Sequence, residues 1–230
     1  HGEVCTRMGA YKPRTNPYSF QGHGEGCLPW VFEKAGKHGI KVIAMEITHE
    51  SHIEEIDTCL EKLGRPTGVM LQVGTRNTQN FELLKSIGRQ QTYPVLLKRG
   101  FGITLNESLN AAEYLASEGN ARGIFCLRGM KTDAGQPHRN MVDFAHVPTV
   151  KRLTRMPVCI DPSHSVGTRD RAPDGAAQDE ILLQYVAYDS DRDVAFNADP
   201  DAVVSTAPAP SFMAYLQQQA RWAQMGLRYP

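Results

Sequence analysis

Short apolar runs alternate with longer amphipathic segments along this chain, and that alternation restricts its fold more than any other feature. Strands are predicted at 4–8, 41–47, 68–74, 93–98, 122–127, 157–161 and 193–197. Helices are predicted at 26–38, 50–63, 78–88, 106–118, 143–155, 177–187 and 210–226. Runs such as Val95-Leu96-Leu97 are apolar on both faces, which is typical of strands covered by helices on both sides. The pattern predicts an α/β fold of repeated βα units.

The number of units points to a barrel. A closed (β/α)8 TIM barrel needs eight βα units, whereas seven are counted here, and the chain opens almost at once on a strand. We therefore predict a (β/α)8 TIM barrel that lacks the first βα unit and forms a single domain over residues 1–230. The 230 residues, 41% of them hydrophobic, suffice for one substantial core. Thr104 with Glu107 predicts a capping box, and Gly119 the end of that helix.

Three linker-like stretches interrupt the pattern, at 131–140, 165–176 and 205–210. The first two follow predicted strands, where barrels carry their substrate loops.

Composition excludes several classes of partner. Lys plus Arg and Asp plus Glu both number 25, so no net charge attracts nucleic acid or an anionic membrane. No apolar stretch approaches the roughly 20 residues of a membrane span. Cysteines stand far apart with no Cys-x-x-Cys pair, which predicts buried thiols rather than disulfides or a zinc site. They are Cys5, Cys27, Cys59, Cys126 and Cys159. A soluble, cytoplasmic protein is expected.

Charged and polar residues follow the predicted strands. These groups are Arg7 with the segment 12–15, then Glu46, 72–77, 98–100, 128–129 and 161–164. Because the strands of a parallel barrel all end on one face, we expect these residues to converge there. Because this group holds several cations and few acids, we predict a site that binds anions. Glu46 either pairs structurally with a neighbouring cation or orients Lys12 or Lys98.

Five ordered segments resemble type I 3-deoxy-D-arabino-heptulosonate 7-phosphate (DAHP) synthase, in its short bacterial form. They are 7–22, 72–85, 96–100, 128–129 and 161–164. The Lys12-Pro13-Arg14-Thr15 motif separates this branch from the related octulosonate phosphate synthases. The resemblance implies a transferase that joins phosphoenolpyruvate to erythrose 4-phosphate in an aldol-type condensation. The product, a 3-deoxy-heptulosonate phosphate, belongs to the first step of aromatic (shikimate) biosynthesis or to a related secondary pathway.

Four cations would hold phosphoenolpyruvate by this resemblance. Arg76 and Arg128 would clamp its phosphate, since a guanidinium fork matches phosphate oxygens bidentately. Arg7 and Lys98 would lie near its carboxylate. Two phosphorylated substrates repel one another, so a site that holds both needs several fixed cations.

The remaining roles concern the aldehyde and a metal. The resemblance implies that Arg14 and Thr15 hold the aldehyde phosphate and that Lys12 protonates the developing alkoxide. It also implies a divalent metal that polarises the aldehyde carbonyl, with His164 as one ligand. His164 on its own would be interpreted as a hydrogen-bonded structural histidine. His49 and His52, at the start of a helix, are interpreted as a solvated helix end.

The chain departs from the family pattern where the other metal ligands belong. Nothing corresponds to the family's Gly-Pro-Cys-Ser element, and Ala195 and Thr206 fall at the positions of its strand-8 glutamate and aspartate. A single imidazole binds a divalent ion weakly. Manganese, magnesium, iron or zinc is therefore expected from the family but weak or absent here.

Two kinds of protein fit these departures. One is a divergent or truncated enzyme of the family, a homo-oligomer in which Asp199 or Asp201 substitutes in the metal shell. The other is a repurposed paralogue that keeps the anion pocket, has lost the metal, and acts as a phosphate-ligand-binding or regulatory subunit. A different aldol-type reaction on a related phosphorylated substrate is a third possibility.

Overall fold

The computed structural model describes residues 5–133, 140–161 and 164–165, and these form an α/β structure. Six parallel strands make one sheet, in which they follow each other in chain order. They are β1 (Cys5–Met8), β2 (Val42–Ile47), β3 (Gly68–Val73), β4 (Val95–Lys98), β5 (Gly123–Leu127) and β8 (Val158–Ile160). The α-helices are α1 (Leu28–Lys37), α2 (Ser51–Lys62), α3 (Phe81–Arg89), α4 (Leu105–Ser117) and α5 (Val147–Thr154). Short 3-10 helices, Gly24–Cys27 and Phe144–His146, lead into α1 and α5.

The strand order is that of consecutive βα units in a (β/α)8 barrel. Each strand pairs in parallel with the next strand of this sheet, and a helix lies between most successive strands. The six strands lie within two residues of their predicted ends. The predicted α/β class is therefore confirmed, with a curled sheet of the barrel type. The strand predicted at 193–197 and the helices at 177–187 and 210–226 lie outside the described residues.

The core lies between the sheet and its helices. Ile43, Leu71 and Phe125 are fully buried on one face of the sheet, where they join a cluster with helix residues such as Phe32 and Leu84. Full burial of a large apolar side chain contributes about 1.5–3 kcal/mol. This layer fixes the orientation of each strand, so the opposite face and the strand ends are held in place.

Helix α4 has both predicted ends. The Glu107 amide donates to Thr104 Oγ1 at 3.2 Å, and the Thr104 amide donates to Glu107 Oε2 at 2.8 Å, so the capping box is present. Gly119 has φ of +108°. The amide of the next residue, Asn120, donates to the Leu115 carbonyl at 3.1 Å, which completes a Schellman motif.

The stretch 131–140, predicted as a linker, begins and ends in strand residues. β6 (Met130–Lys131) pairs with β7 (Asn140–Met141) in a two-stranded antiparallel ribbon. The Lys131 amide also donates to the Phe101 carbonyl at 2.6 Å, which ties the ribbon to the loop after β4. Among the described helices, none has the length and apolar character that a membrane crossing would need.

Candidate active site

The sheet face opposite the helices carries the predicted polar groups. Successive residues of a strand point to opposite faces, so residues in register, or two apart, share a face. The register pairs Glu46 with Gln72 and Lys98 with Cys126. The residues of this face near the strand ends are Arg7, Glu46, Gln72, Lys98, Cys126 and, directly after β8, Asp161. The convergence predicted from the strand ends is thus present.

Glu46 lies at the centre of this convergence. Burial raises the pKa of its carboxyl, and four neighbouring cations oppose that rise. These cations are, from the strongest influence to the weakest, Lys98, Arg7, Arg76 and Lys12. The carboxylate accepts a hydrogen bond from the buried Gln72 at 3.1 Å. The surrounding cations agree with both interpretations left open for Glu46, structural pairing with a cation and the orienting of Lys12 or Lys98.

Gly74, directly after β3, leaves the space that the Glu46 carboxylate occupies. A Cβ atom at position 74 would lie 1.8 Å from Glu46 Oε1 and 2.8 Å from its Cδ. Any side chain here would therefore push the carboxylate away from Gln72. The requirement for glycine at this position comes from a neighbouring acid, since the backbone of Gly74 is not left-handed.

Lys98 is buried and forms an ion pair with Asp161, which is also largely buried. His164 Nδ1 lies 2.9 and 2.8 Å from the two Asp161 carboxylate oxygens, and the His164 amide donates to Oδ1 at 3.2 Å. Burial disfavours ionisation of Asp161, but His164 and Lys98 outweigh it and hold the pKa of this carboxyl well below its usual value. Asp161 therefore links the Lys98 ammonium to the predicted metal-ligand imidazole.

The loop after β1 carries Lys12, Arg14 and Thr15. Arg76 Nη2 donates to Thr15 Oγ1 at 3.2 Å, which joins the predicted phosphoenolpyruvate clamp to the predicted aldehyde subsite. Arg14 Nε donates to the Phe20 carbonyl at 3.1 Å within the loop. Thr15, Arg14 and Arg76 are exposed.

Helix α2 anchors this loop through a contact that the sequence did not predict. Tyr11 stacks on His52 with ring centroids 3.5 Å apart and an interplanar angle of 9°, and its hydroxyl donates to Glu55 Oε2 at 2.5 Å. Burial and the Glu55 carboxylate raise the pKa of Tyr11 strongly, so the hydroxyl stays a donor. The interpretation of a solvated helix end is correct for the exposed His49 and wrong for His52.

Arg128 is buried directly after β5, with its guanidinium carbon 5.6 Å from the centre of the Phe101 ring. That distance and position are those of a cation–π contact. Phe101 also lines a cavity of about 260 Å³. Its lining consists of Thr75, Arg76, Thr78, Gln79, Gly100, Phe101, Gly102 and Ile103. Phe101 therefore lies near Arg128 and lines the same cavity as Arg76.

A buried ion pair holds the turn that follows Arg128. Arg99 Nε lies 3.4 Å from Asp143 Oδ2, and the other Asp143 oxygen accepts from the Gly129 amide at 2.8 Å. Burial raises the pKa of Asp143, whereas the Gly129 amide and Arg99 oppose that rise. Gly129 has φ of +80°, and a Cβ there would meet the Ser165 backbone at 2.8 Å. The role of Asp143 has no signal in the sequence.

The described residues do not form the ligand set of a resident divalent ion. No group of three His, Cys, Asp or Glu side chains within 5–133, 140–161 and 164–165 could hold a metal. The predicted ligand His164 turns its Nδ1 towards Asp161. A carboxylate on one ring nitrogen is the usual support of a histidine that binds a metal through the other nitrogen, so this contact fits the predicted role. The candidate substitutes Asp199 and Asp201, with Ala195 and Thr206, lie outside the described residues.

The fold and site define a βα-barrel protein with a cluster of cations at the carboxyl ends of its parallel strands, suited to phosphorylated and carboxylated ligands. The chain belongs to the DAHP synthetase I family, whose model matches residues 1–188.

One relative, the phospho-2-dehydro-3-deoxyheptonate aldolase of Thermotoga maritima, is 43% identical over 169 residues, which cover 74% of this chain and 47% of the relative. The crystal structure of the phospho-2-dehydro-3-deoxyheptonate aldolase (DAHP synthase) of T. maritima superposes with a TM-score of 0.63 at 37% identity, covering 79% of this chain and 47% of that one. A truncated form of the T. maritima 3-deoxy-D-arabino-heptulosonate 7-phosphate synthase gives a TM-score of 0.59 at 34% identity, covering 79% and 58%. The chain thus spans about half the length of the relatives it matches.

Proposed function

We propose that this chain binds phosphoenolpyruvate in its cation cluster and condenses it with a phosphorylated aldehyde, erythrose 4-phosphate. The observation that carries the proposal is the gathering of Arg7, Lys12, Arg76 and Lys98 around the carboxylate of Glu46. With Asp161, which pairs with Lys98, two acids stand among these four cations. The remaining excess of positive charge is one that a multiply charged enol phosphate would neutralise.

The two substrates would divide the site between them. The enol phosphate would be held by Arg128, which lies over the Phe101 ring, and by Arg76, which lines a cavity with Phe101. Arg7 and Lys98 would hold its carboxylate. Arg14 and Thr15 would hold the aldehyde phosphate. The contact between Arg76 and Thr15 makes these two subsites neighbours.

Lys12 is the proposed proton donor. Bond formation between the methylene carbon of phosphoenolpyruvate and the aldehyde carbon turns the aldehyde oxygen into an alkoxide, which needs a proton. The Lys12 ammonium folds back over Gly9, and its Nζ lies 3.1 Å from the position that a Cβ on that glycine would take. Its charge also acts on the Glu46 carboxyl, whose pKa it lowers. Gly9 thus gives the ammonium room beside the cluster.

The test is a turnover assay on the full chain. Phosphoenolpyruvate should be consumed only when erythrose 4-phosphate is also present, and Lys12→Met should abolish consumption while it retains phosphoenolpyruvate binding. Lys34→Met, on the exposed side of α1, is the matched control and should leave both unchanged.

A second candidate function is ligand binding without turnover, as expected of a repurposed subunit. It is favoured by the departures of the sequence from the family pattern, since Ala195 and Thr206 fall at the positions of two expected metal ligands. Phosphoenolpyruvate bound by the wild-type chain but not consumed, with added Mn²⁺ or without, would establish this function instead. Absence of binding would contradict both candidates. We further expect a homo-oligomer in the cytoplasm on the resemblance alone, and sedimentation of the purified chain measures its assembly directly.

A further inference from the structure

Two cysteine thiols face each other on the site side of the sheet. Cys126 on β5 and Cys159 on β8 are register partners on adjacent parallel strands, so their side chains leave the same face side by side. All five cysteines are free. The expectation of buried thiols is correct for Cys27, Cys59 and Cys126 and wrong for Cys5 and Cys159, which are exposed.

The spacing of the strands suits a covalent link between this pair. Neighbouring strands lie about 4.7–4.9 Å apart, which falls within the range of about 4.4–6.8 Å that Cα atoms span in disulfides. The two thiols also interact directly, because their mutual hydrogen bond lowers the pKa of Cys159 and raises that of Cys126. A lowered pKa increases the fraction of the reactive thiolate.

The two thiols differ in their access to solvent. Cys159 is exposed, whereas Cys126 is only 2% exposed. An oxidant can therefore reach Cys159 first, while Cys126 lies beside it and is protected from solvent. This arrangement of an accessible attacking thiol next to a second thiol is the one found in redox-sensitive cysteine pairs.

We propose that Cys126 and Cys159 are a site of reversible oxidation, at which a peroxide converts the two thiols into a disulfide between β5 and β8. The Cys159 thiolate attacks one peroxide oxygen, the O–O bond breaks, and the sulfur becomes a sulfenic acid as water (or an alcohol) leaves. The Cys126 thiol then attacks that sulfur, the S–S bond forms, and the sulfenic oxygen leaves as a second water. The peroxide gains the two electrons that the two sulfurs lose.

The disulfide would form directly beneath the candidate active site. Cys126 is in register with Lys98, and Cys159 stands two residues before Asp161 on the same face. Because the ion pair of Lys98 and Asp161 reaches from β4 past β5 to the end of β8, a covalent link between β5 and β8 beside it would limit the movement of Asp161 relative to the sheet. This inference about the thiols does not depend on the reaction proposed above.

The test is peptide mapping of the full chain after treatment with one equivalent of hydrogen peroxide at pH 7 and alkylation of the remaining thiols. Trypsin should release residues 123–128 joined to residues 156–169 by a bond that dithiothreitol breaks. Cys159→Ser should abolish the linked peptide and leave Cys126 free to react with the alkylating agent once the chain is unfolded. Cys5→Ser removes the other exposed cysteine and should leave the link intact.

Two results would overturn the proposal. One is a Cys159 oxidised to sulfinic acid beside a Cys126 that is still alkylated, since that outcome shows that the second thiol does not reach the sulfenic acid. The other is a wild-type chain in which Cys159 reacts with peroxide no faster than Cys5. Both results are independent of turnover, so they stand whether or not the chain consumes phosphoenolpyruvate.

Discussion

Replacing Gly74 by alanine tests the position of Glu46 most sharply. The new Cβ would lie 1.8 Å from Glu46 Oε1, a separation that must grow to at least 3.0 Å, so the carboxylate has to swing away. The movement breaks its hydrogen bond with Gln72, and a bond to a charged group contributes about 1.5–3 kcal/mol. Alanine also restricts the unfolded chain, which stabilises the protein by about 0.4–1 kcal/mol and offsets part of the lost hydrogen-bond energy. We expect Gly74→Ala to lower the free energy of unfolding by about 1–2 kcal/mol.

Urea unfolding of four chains measures this effect: wild type, Gly74→Ala, Glu46→Ala and the double variant. The three nearest atoms to the new Cβ all belong to Glu46, so the clash disappears when Glu46 is alanine. In that background Gly74→Ala should be neutral or stabilising. Gly102→Ala is the control, because a Cβ at Gly102 meets nothing within 4 Å. An equal cost of Gly74→Ala in both backgrounds would refute the placement of the Glu46 carboxylate.

Three further perturbations address the rest of the site. Arg14→Ala should raise KM for erythrose 4-phosphate about 10- to 150-fold and leave that for phosphoenolpyruvate nearly unchanged; an equal rise in both would contradict the division of the subsites. Asp161→Asn should cost about 3–5 kcal/mol at neutral pH, because it leaves Lys98 buried without its partner. Since folding lowers the pKa of Asp161, the difference in unfolding free energy should be complete above a pH of about 4 and shrink below it. Glu82→Gln, in an ion pair at the surface, is the control and should leave the unfolding free energy unchanged in the same urea titrations. Tyr11→Phe should remove about 1.5 kcal/mol of stability and raise the aldehyde KM, while Tyr18→Phe, 95% exposed in the same loop, should do neither.

The sequence predicts the fold well because the signals for strands and for helix ends are both local. Apolar runs mark the strands, and capping residues such as Thr104 and Gly119 mark the ends of α4. Local side chains also explain the differences in helix bounds. The helix predicted from residue 78 begins at Phe81, because the Asn80 side chain accepts from the Leu83 amide at 3.3 Å and caps it there.

The convergence of the site could be predicted for the same reason, since parallel strands place their ends together whatever their separation in sequence. The hydrogen-bond and ion-pair partners of each side chain could not be predicted from the sequence. Tyr11 and Glu55 are 44 positions apart, and Lys98 and Asp161 are 63 apart, so only the packed structure joins them. The two-stranded ribbon of β6 and β7 was missed because strands of two residues are too short for an alternating pattern to be visible.

The central claim is that the strand ends form a site for phosphoenolpyruvate, and calorimetric titration of the full chain with this ligand tests it directly. Arg128→Ala should weaken binding about 10- to 150-fold, as expected for the loss of 1.5–3 kcal/mol from a hydrogen bond to a charged group. Arg122→Ala, an exposed arginine just before the opposite end of β5, should leave the affinity unchanged. Equal affinities of wild type and a folded Arg128→Ala would contradict the account.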